Sequence, residues 1–302
     1  MILVVGGAGY LGSRLSSLLR TRCTVYDNLM YRDEFFTDVP FVNGDVTDCD
    51  RLKYWLDKSR IVVWLAAIVG DGACSSNPQL SKAVNVDAVQ FLADNFDGPI
   101  VFTSTASVYG VNEGQSTEGS PLNPQSLYAE TKVAAEDILA NKRALILRLG
   151  TLHGLSDRMR FDLVVNAMTR DAVMNDKITV FGGNQSRPLL SVVDAANYIR
   201  RFMMCDWEPG IYNFATENVT INDVAKMVQA QAFGSEIEHL GSEFEDARDY
   251  SMSCDKMEEG LMPLVGTHAV GESVKDISKA LRAGRIRNPY SDKYVNARVQ
   301  SG

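Results

Sequence analysis

The sequence lacks several things that would announce a function at once. Its five cysteines (Cys23, Cys49, Cys74, Cys205, Cys254) are odd in number, scattered and without a C-x-x-C pair, so neither a disulfide framework nor a zinc site is suggested. Histidine is scarcer still: His153, His239 and His268 stand alone, and no metal is expected. Long hydrophobic runs are missing too. The longest, "IVVWLAAIVG" at 61–70, falls short of the roughly eighteen residues a membrane span needs and reads as a buried strand entering a loop, so no membrane partner is expected. Positive charge is in deficit, with 30 Lys and Arg against 38 Asp and Glu and a net charge of -8. That argues against a nucleic-acid surface, and any anionic ligand has to be held by a few placed arginines. The opening "MILVVGG" has no basic stretch before its apolar residues and turns on glycine after five of them, which reads as a strand rather than a secretion signal, with a cytoplasmic location as the default. There is no internal repeat and no low-complexity linker.

What is present is an ordinary globular composition, 45% hydrophobic and 23% charged over 302 residues, enough to bury about three quarters of the unfolded surface. Strand-like runs occur at 2–5, 23–26, 40–44, 61–67, 99–104 and 143–149, with helical patterns near 10–20, 48–58, 78–95 and 125–141 between them. Apolar strands alternating with helices predict a doubly wound α/β fold, a parallel sheet covered on both faces. After Gly150 the rhythm loosens. Helices near 161–174, 192–204, 220–231 and 271–284, with strands at "KITVFG", "GIYNFA" and "EIEHL", predict a smaller α/β lobe that completes a cleft. The expected division is 1–150 for the first domain, 151–284 for the second lobe, with interleaving allowed, and 285–302 for a polar tail that lies on the surface or frays.

Gly6, Gly9 and Gly12 in "VVGGAGYLG" follow the first strand and open the first helix, the place where a backbone without side chains can approach a pyrophosphate at a helix N-terminus. Asp27 ends the next strand, fifteen residues past Gly12. A carboxylate there accepts hydrogen bonds from the adenine ribose and repels a 2'-phosphate, so NAD is expected over NADP. Asp45 in "NGDVTD" has two readings, an adenine contact or a cap or turn aspartate. In "SLYAETKVAAE", Tyr128 and Lys132 are one helical turn apart on one face. An ammonium beside a phenol lowers its pKa and suits it to proton transfer.

With "YDNL", "GDV", "WLAA", Asn85 and "TSTASVYG", these motifs occur in the order of a known family. The chain resembles an extended short-chain dehydrogenase/reductase of the NAD-dependent sugar-nucleotide epimerase/dehydratase family, over nearly its whole length to about residue 284. The resemblance implies a Rossmann domain with a C-terminal lobe for a nucleotide-diphosphate sugar, UDP- or GDP-linked. It further implies a homodimer through the helices near 78–95 and 125–141. It implies catalysis by Thr105, Tyr128 and Lys132, and a cofactor site that also includes Asn28, Val46, Ala66, Ala67 and Asn85. In the second lobe it implies that Arg187 and Arg248 grip the diphosphate, as arginine's planar fork suits. "HGLSDRMRFDLVVN" is similar to a subgroup that includes GDP-heptose dehydrogenases, which adds Arg158, Arg160 and Asn166 as substrate contacts. Phe161, Leu163 and Val164 read as core, and Tyr109 as packing.

Two departures from the family pattern matter. "GTLHG" places Thr151 where the family often has Asn, and Ala106 and Ser107 follow Thr105 where 4,6-dehydratases carry an Asp-Glu pair. The leading expectation is therefore a 4-epimerase with tightly held NAD and a transient 4-keto intermediate. A net dehydrogenase or ketoreductase on the same ligand is the alternative. A non-enzymatic NAD sensor is the third reading, against which the intact Thr105, Tyr128 and Lys132 argue.

Overall fold

A computed structural model of the chain describes residues 1–296 except 33, 34, 36, 37, 113, 233, 241–248 and 265–267. Seven strands form one parallel sheet: β1 (Ile2–Val5), β2 (Cys23–Asp27), β3 (Phe41–Asn43), β4 (Ile61–Trp64), β5 (Ile100–Thr105), β6 (Ala144–Leu149) and β7 (Gly210–Phe214). Their spatial order is β7-β6-β5-β4-β1-β2-β3. The order reverses between β1 and β4, and a crevice at the carboxyl ends of the strands collects ligands at such a point.

The strands are apolar on both faces because both faces are covered. Val4, Val63 and Val101 pack with the helices Tyr10–Leu19 and Val192–Phe202 through Leu15 and Ile199. Their neighbours Leu3, Val62, Ile100 and Phe102 face the other way, toward Leu52, Leu92 and Ala135 of the helices Cys49–Asp57, Ala88–Asn95 and Leu127–Leu139. Alternation along each strand thus feeds two cores.

The structure departs from the sequence pattern in several places. β4 stops at Trp64, because "LAA" leaves the sheet to line the crevice. The helix near 78–95 is three pieces, Pro78–Lys82, a π turn at Ala83–Asp87, and Ala88–Asn95. "GIYNFA", assigned to the second lobe, supplies β7 of the large sheet, where Ile211 pairs with Ile146 and Tyr212 and Phe214 are buried. Of the expected tail, residues 286–296 are held against the second lobe: the Phe161 N–H donates to the Tyr294 carbonyl at 2.8 Å, and Asn296 is 4% exposed.

The second lobe also holds three strands that the pattern did not reveal, Thr151–His153, Ser186–Ser191 and Glu217–Thr220, joined in one small sheet. A further pair joins Lys177–Phe181 to Glu236–Leu240 in parallel. Among the described residues no helix is long and apolar enough to cross a membrane.

Candidate active site

A cavity of about 770 Å³ runs between the carboxyl ends of the sheet and the second lobe. Its floor is the glycine turn. Gly6 has φ +80°, and a Cβ there would lie 2.5 Å from the Ala66 nitrogen. A Cβ on Gly12 would lie 2.4 Å from the Gly6 carbonyl oxygen. Both positions therefore demand glycine, which seats the helix Tyr10–Leu19 directly behind β1. Gly9 begins that helix and no side chain caps it, so the first N–H groups are left for a ligand.

Asp27, Asn28, Asp45, Val46, Ala66 and Ala67 all line the cavity. The Asp27 carboxylate accepts from the Ala8 N–H (2.9 Å) and the Leu29 N–H (2.8 Å). Burial pushes its pKa up, and those two N–H groups with Arg32 and Arg158 pull against it. Asp45 is a turn aspartate that also faces the cavity. It accepts from the Thr47 N–H (2.8 Å), the Thr47 hydroxyl (2.7 Å) and the Asn28 amide (2.8 Å). Burial raises its pKa, but these donors outweigh burial and hold it below the ordinary value. The helix cap nearby is Asp48, which accepts from the Arg51 N–H.

Asn85 does not line the cavity. It is 2% exposed and sits in the π turn, where its amide accepts from the Ile68 N–H (2.8 Å) and donates to the Ile68 carbonyl (3.0 Å) and the Thr131 hydroxyl (3.1 Å). It braces the loop that follows β4, and Ile68 and Val69 of that loop line the cavity.

At the reacting end, Thr105 closes β5. Its hydroxyl accepts from the Ser107 N–H (3.1 Å) and donates to the Ser107 hydroxyl (3.0 Å), so it caps the turn Ala106–Tyr109 while lining the cavity. Ser126 caps the helix Leu127–Leu139 by accepting from the Ala129 N–H (3.3 Å), and this sets Tyr128 at the cavity wall. Lys132, one turn on, is 3% exposed and donates to the Thr103 carbonyl (2.8 Å), 4.7 Å from the Phe102 ring. Burial pushes its pKa down to about 8, and the Glu136 carboxylate pulls the other way. Glu136 is itself gripped by Arg148, with contacts of 3.1 and 2.6 Å, and accepts from Ser104.

The expected depression of the Tyr128 pKa by Lys132 is not the dominant effect. Burial raises the phenol well above its ordinary value. The first charge opposing this is the Arg160 guanidinium, and a hydrogen bond with Thr105 helps. The Lys132 ammonium donates to the backbone of β5, and its side chain lines the cavity together with Tyr128.

From the second lobe, Arg158, Arg160 and Arg187 reach the same cavity. Arg160 forks onto Asp162 at 3.0 and 2.7 Å. Arg187 is 6% exposed, donates to the Ser186 carbonyl (2.7 Å) and lies 5.3 Å from the Tyr250 ring. Asn166 is fully buried away from the cavity. Its amide accepts from the Gly154 N–H (2.9 Å) and donates to the Arg160 carbonyl (2.9 Å) and the Tyr10 hydroxyl (3.0 Å). It is a brace for the arginine loop. Arg248 lies outside the described residues.

Sequence reasoning missed Tyr10, Tyr31, Arg32, Asp71, Asp162, Tyr250 and Asn296, all of which line the cavity. Tyr10 carried a usable signal, a large side chain between Gly9 and Gly12 at the start of the helix. Its hydroxyl donates to the Gly154 carbonyl (2.5 Å), tying the glycine turn to the second lobe. Asn296 carried none.

Comparison with known proteins bears on this arrangement. A family model described as the NAD dependent epimerase/dehydratase family matches residues 2–215. The uncharacterized UDP-glucose epimerase YtcB of Bacillus subtilis is 28% identical over 229 residues, which is 66% of this chain and 71% of that protein. The UDP-glucose 4-epimerase of Rhizobium meliloti is 33% identical over 168 residues, 49% of this chain and 50% of that one. The D-erythronate dehydrogenase of Cupriavidus necator is 29% identical over 163 residues, 46% of this chain and 49% of that one. Among solved structures, the UDP-glucose 4-epimerase of Thermotoga maritima superposes with a TM-score of 0.83 at 21% identity, covering 94% of this chain and 99% of that one. An NAD-dependent NDP-hexosamine 5,6-dehydratase of tunicamycin biosynthesis also reaches 0.83, at 22% identity, covering 93% and 97%. The two solved enzymes have different activities and superpose equally well, so they speak for the fold and not for the reaction.

Proposed function

The chain belongs to the NAD dependent epimerase/dehydratase family, and from that premise we propose that it is an NAD-dependent 4-epimerase of a nucleotide-diphosphate sugar, working through a transient 4-keto sugar. One observation carries this reading: Thr105 and Tyr128 share a single cavity with Arg160 and Arg187, while the residues after Thr105 are a buried alanine and a serine hydrogen-bonded to Thr105 itself.

The residues fit a dinucleotide. The glycine turn makes a cradle that Cβ atoms at Gly6 and Gly12 would fill, the helix behind it is uncapped, and Asp27 closes the ribose end of β2. Gly6, Gly9, Gly12, Asp27, Asn28, Asp45, Val46, Ala66 and Ala67 would hold NAD, whose bound nicotinamide supplies a hydride acceptor and donor. Tyr128 takes the proton from the sugar hydroxyl as its carbon is oxidised, and returns a proton when the ketone is reduced on its other face. Because burial holds the phenol protonated, positive charge facing it has to favour the phenolate, and Arg160 is the first such group. The Thr105 hydroxyl orients the reacting oxygen. Arg187 would bind the diphosphate of the sugar nucleotide.

Loss of water from the 4-keto sugar needs one group to remove the proton beside the ketone and another to protonate the leaving hydroxyl. Ala106 does neither, and Ser107 is a weak acid and base already tied to Thr105. The ketone therefore keeps its 6-hydroxyl. A second reading, net dehydrogenation with release of the ketone, has the D-erythronate dehydrogenase relative in its favour.

Incubation with UDP- and GDP-hexoses in deuterated water, followed by NMR, tests the proposal. The expected product is the 4-epimer without solvent deuterium in the sugar. Accumulation of ketone with NADH favours the second reading, and a 4-keto-6-deoxy sugar carrying deuterium defeats both.

A further inference from the structure

Arg158 is an unusual member of the cavity. It is 6% exposed, and its pKa is pushed down to about 10, first by burial and then by Arg160. Its Nη2 donates to the Asn296 Oδ1 at 2.5 Å. Its Nε is buried and, among the described residues, has no hydrogen-bond partner. The loop carboxylate whose charge acts on it, Asp162, is held by the Arg160 fork. A cation this enclosed, given a neutral amide as its partner, keeps its full charge for something else in the cavity.

Its surroundings say on which side of the cavity that charge acts. The guanidinium lies 5.1 Å from the Tyr31 ring, four residues past Asp27. Asp27 faces the same guanidinium, whose charge opposes the effect of burial on that carboxyl. Tyr128, at the reacting end, is influenced first by Arg160 instead.

The segment that supplies Asn296 is fastened along the arginine loop and the helix after it. The Tyr290 hydroxyl donates to Asp171 (2.8 Å) and its ring lies 4.3 Å from the Arg170 guanidinium. The Tyr294 carbonyl accepts from the Phe161 N–H (2.8 Å), with the two rings edge to face at 5.5 Å. The Asn296 N–H donates to Asp162 (3.2 Å). Residues 290–296 therefore form a strap whose last described residue fixes the direction of Arg158.

We propose that Arg158 clamps the pyrophosphate of the dinucleotide from the second-lobe side, opposite the glycine turn, and that Asn296 is the positioning residue that aims it. This rests on the cofactor reading above and moves Arg158 from the substrate contacts to the cofactor. Asparagine suits the task because its Oδ1 accepts one guanidinium N–H without cancelling the charge. The clamp makes NAD retention a property of residues far from the glycine turn. An enzyme that must keep its reduced cofactor between two half-reactions needs such retention.

The test is titration calorimetry on the full chain stripped of cofactor, with NAD and UDP-glucose measured separately. Arg158→Ala is expected to weaken NAD binding about tenfold or more, the scale of a charge-assisted phosphate contact, and to leave UDP-glucose affinity unchanged. Arg158→Lys should recover part of the loss, which guards against a folding defect in the alanine variant. Asn296→Ala should weaken NAD less than Arg158→Ala does. Asn296→Asp should weaken it at least as much, since a carboxylate neutralises the clamp. Unchanged NAD affinity in Arg158→Ala and Asn296→Asp overturns the proposal, as does a loss of UDP-glucose affinity equal to that of NAD. An Asn296→Ala chain as tight as wild type removes the strap from it. A wild-type chain that binds NAD but makes no epimer defeats the function proposed above, and does so in a different measurement.

Discussion

At the scale of single residues, the site sets a phenol whose pKa is raised by burial beside an ammonium pushed down to about 8. Tyr128→Phe keeps the ring and removes only the oxygen that carries the proton. It is expected to cut turnover by roughly 10²-fold or more while NAD stays bound, as read by product formation and cofactor absorbance on the same sample. The pH profile separates the two cations near it. If Arg160 is the charge that favours phenolate, Arg160→Ala raises the phenol pKa further, and the rising limb of the rate profile moves to higher pH. A limb that stays in place in Arg160→Ala removes Arg160 from this role. Glycine positions such as Gly6 and Gly12 were legible in the sequence because backbone crowding permits nothing else there. Asn296 was not, because its meaning comes from its partner Arg158, more than a hundred residues away in the chain, and the bond from Tyr10 to Gly154 spans as great a distance.

At the scale of elements, the π turn at Ala83–Asp87 does what a regular helix would not. One widened turn places Asn85 so that a single amide satisfies both backbone groups of Ile68 and reaches Thr131 on the helix that carries Tyr128 and Lys132. π turns are rare and gather at functional sites. Asn85→Ala leaves the Ile68 N–H without its partner and the Ile68 carbonyl with only the Cys74 thiol, at 3.3 Å. It should lower stability by about 1–3 kcal/mol and weaken NAD binding, because Ile68 and Val69 line the cavity. Urea melts and calorimetry check this, and unchanged stability would mean that the Asn85 hydrogen bonds are replaced by water at no cost. The helix itself was readable from its apolar spacing, but its break into three pieces was not. Hydrophobic period does not distinguish an α turn from a π turn when both bury the same face. The short strands Thr151–His153 and Glu217–Thr220 were hidden for a different reason. Each has few apolar residues, and each is held by its neighbours in the small sheet more than by its own pattern.

At the scale of the whole molecule, one buried histidine links folding to pH. His153 is fully buried, with Nδ1 2.9 Å from the Ser273 hydroxyl of the helix Val270–Arg282. Burial, with His268 nearby, pushes its pKa from 6.5 to about 3. Between those values the unfolded chain binds a proton that the folded one does not. Stability from this group is complete above pH 6.5 and falls as pH drops toward 3. The slope is about 1.4 kcal/mol per pH unit within that window. His153→Gln, which does not titrate, should flatten the acid limb by that amount. Urea melts of both chains across the window check it, and parallel limbs would remove His153 from acid unfolding. The doubly wound class was readable in the alternation of strands and helices. The position of β7 was not, since "GIYNF" could close either sheet and only its pairing with β6 decides.

That position governs the order in which the molecule can assemble. β6 ends at Leu149 and its outer neighbour β7 begins at Gly210. A chain emerging from the ribosome therefore carries β6 with an unpaired outer edge while about 60 further residues are made, a loop whose closure costs little extra for its length. All six residues of β6 are buried in the finished protein. During that interval an apolar strand presents free N–H and C=O groups to any other nascent copy, which is the condition for edge-to-edge misassembly. The arrival of Gly210–Phe214 ends it. The strand that completes the nucleotide-binding sheet is thus also the one that closes its exposed edge, and it cannot do so before nearly half of the second lobe has been made.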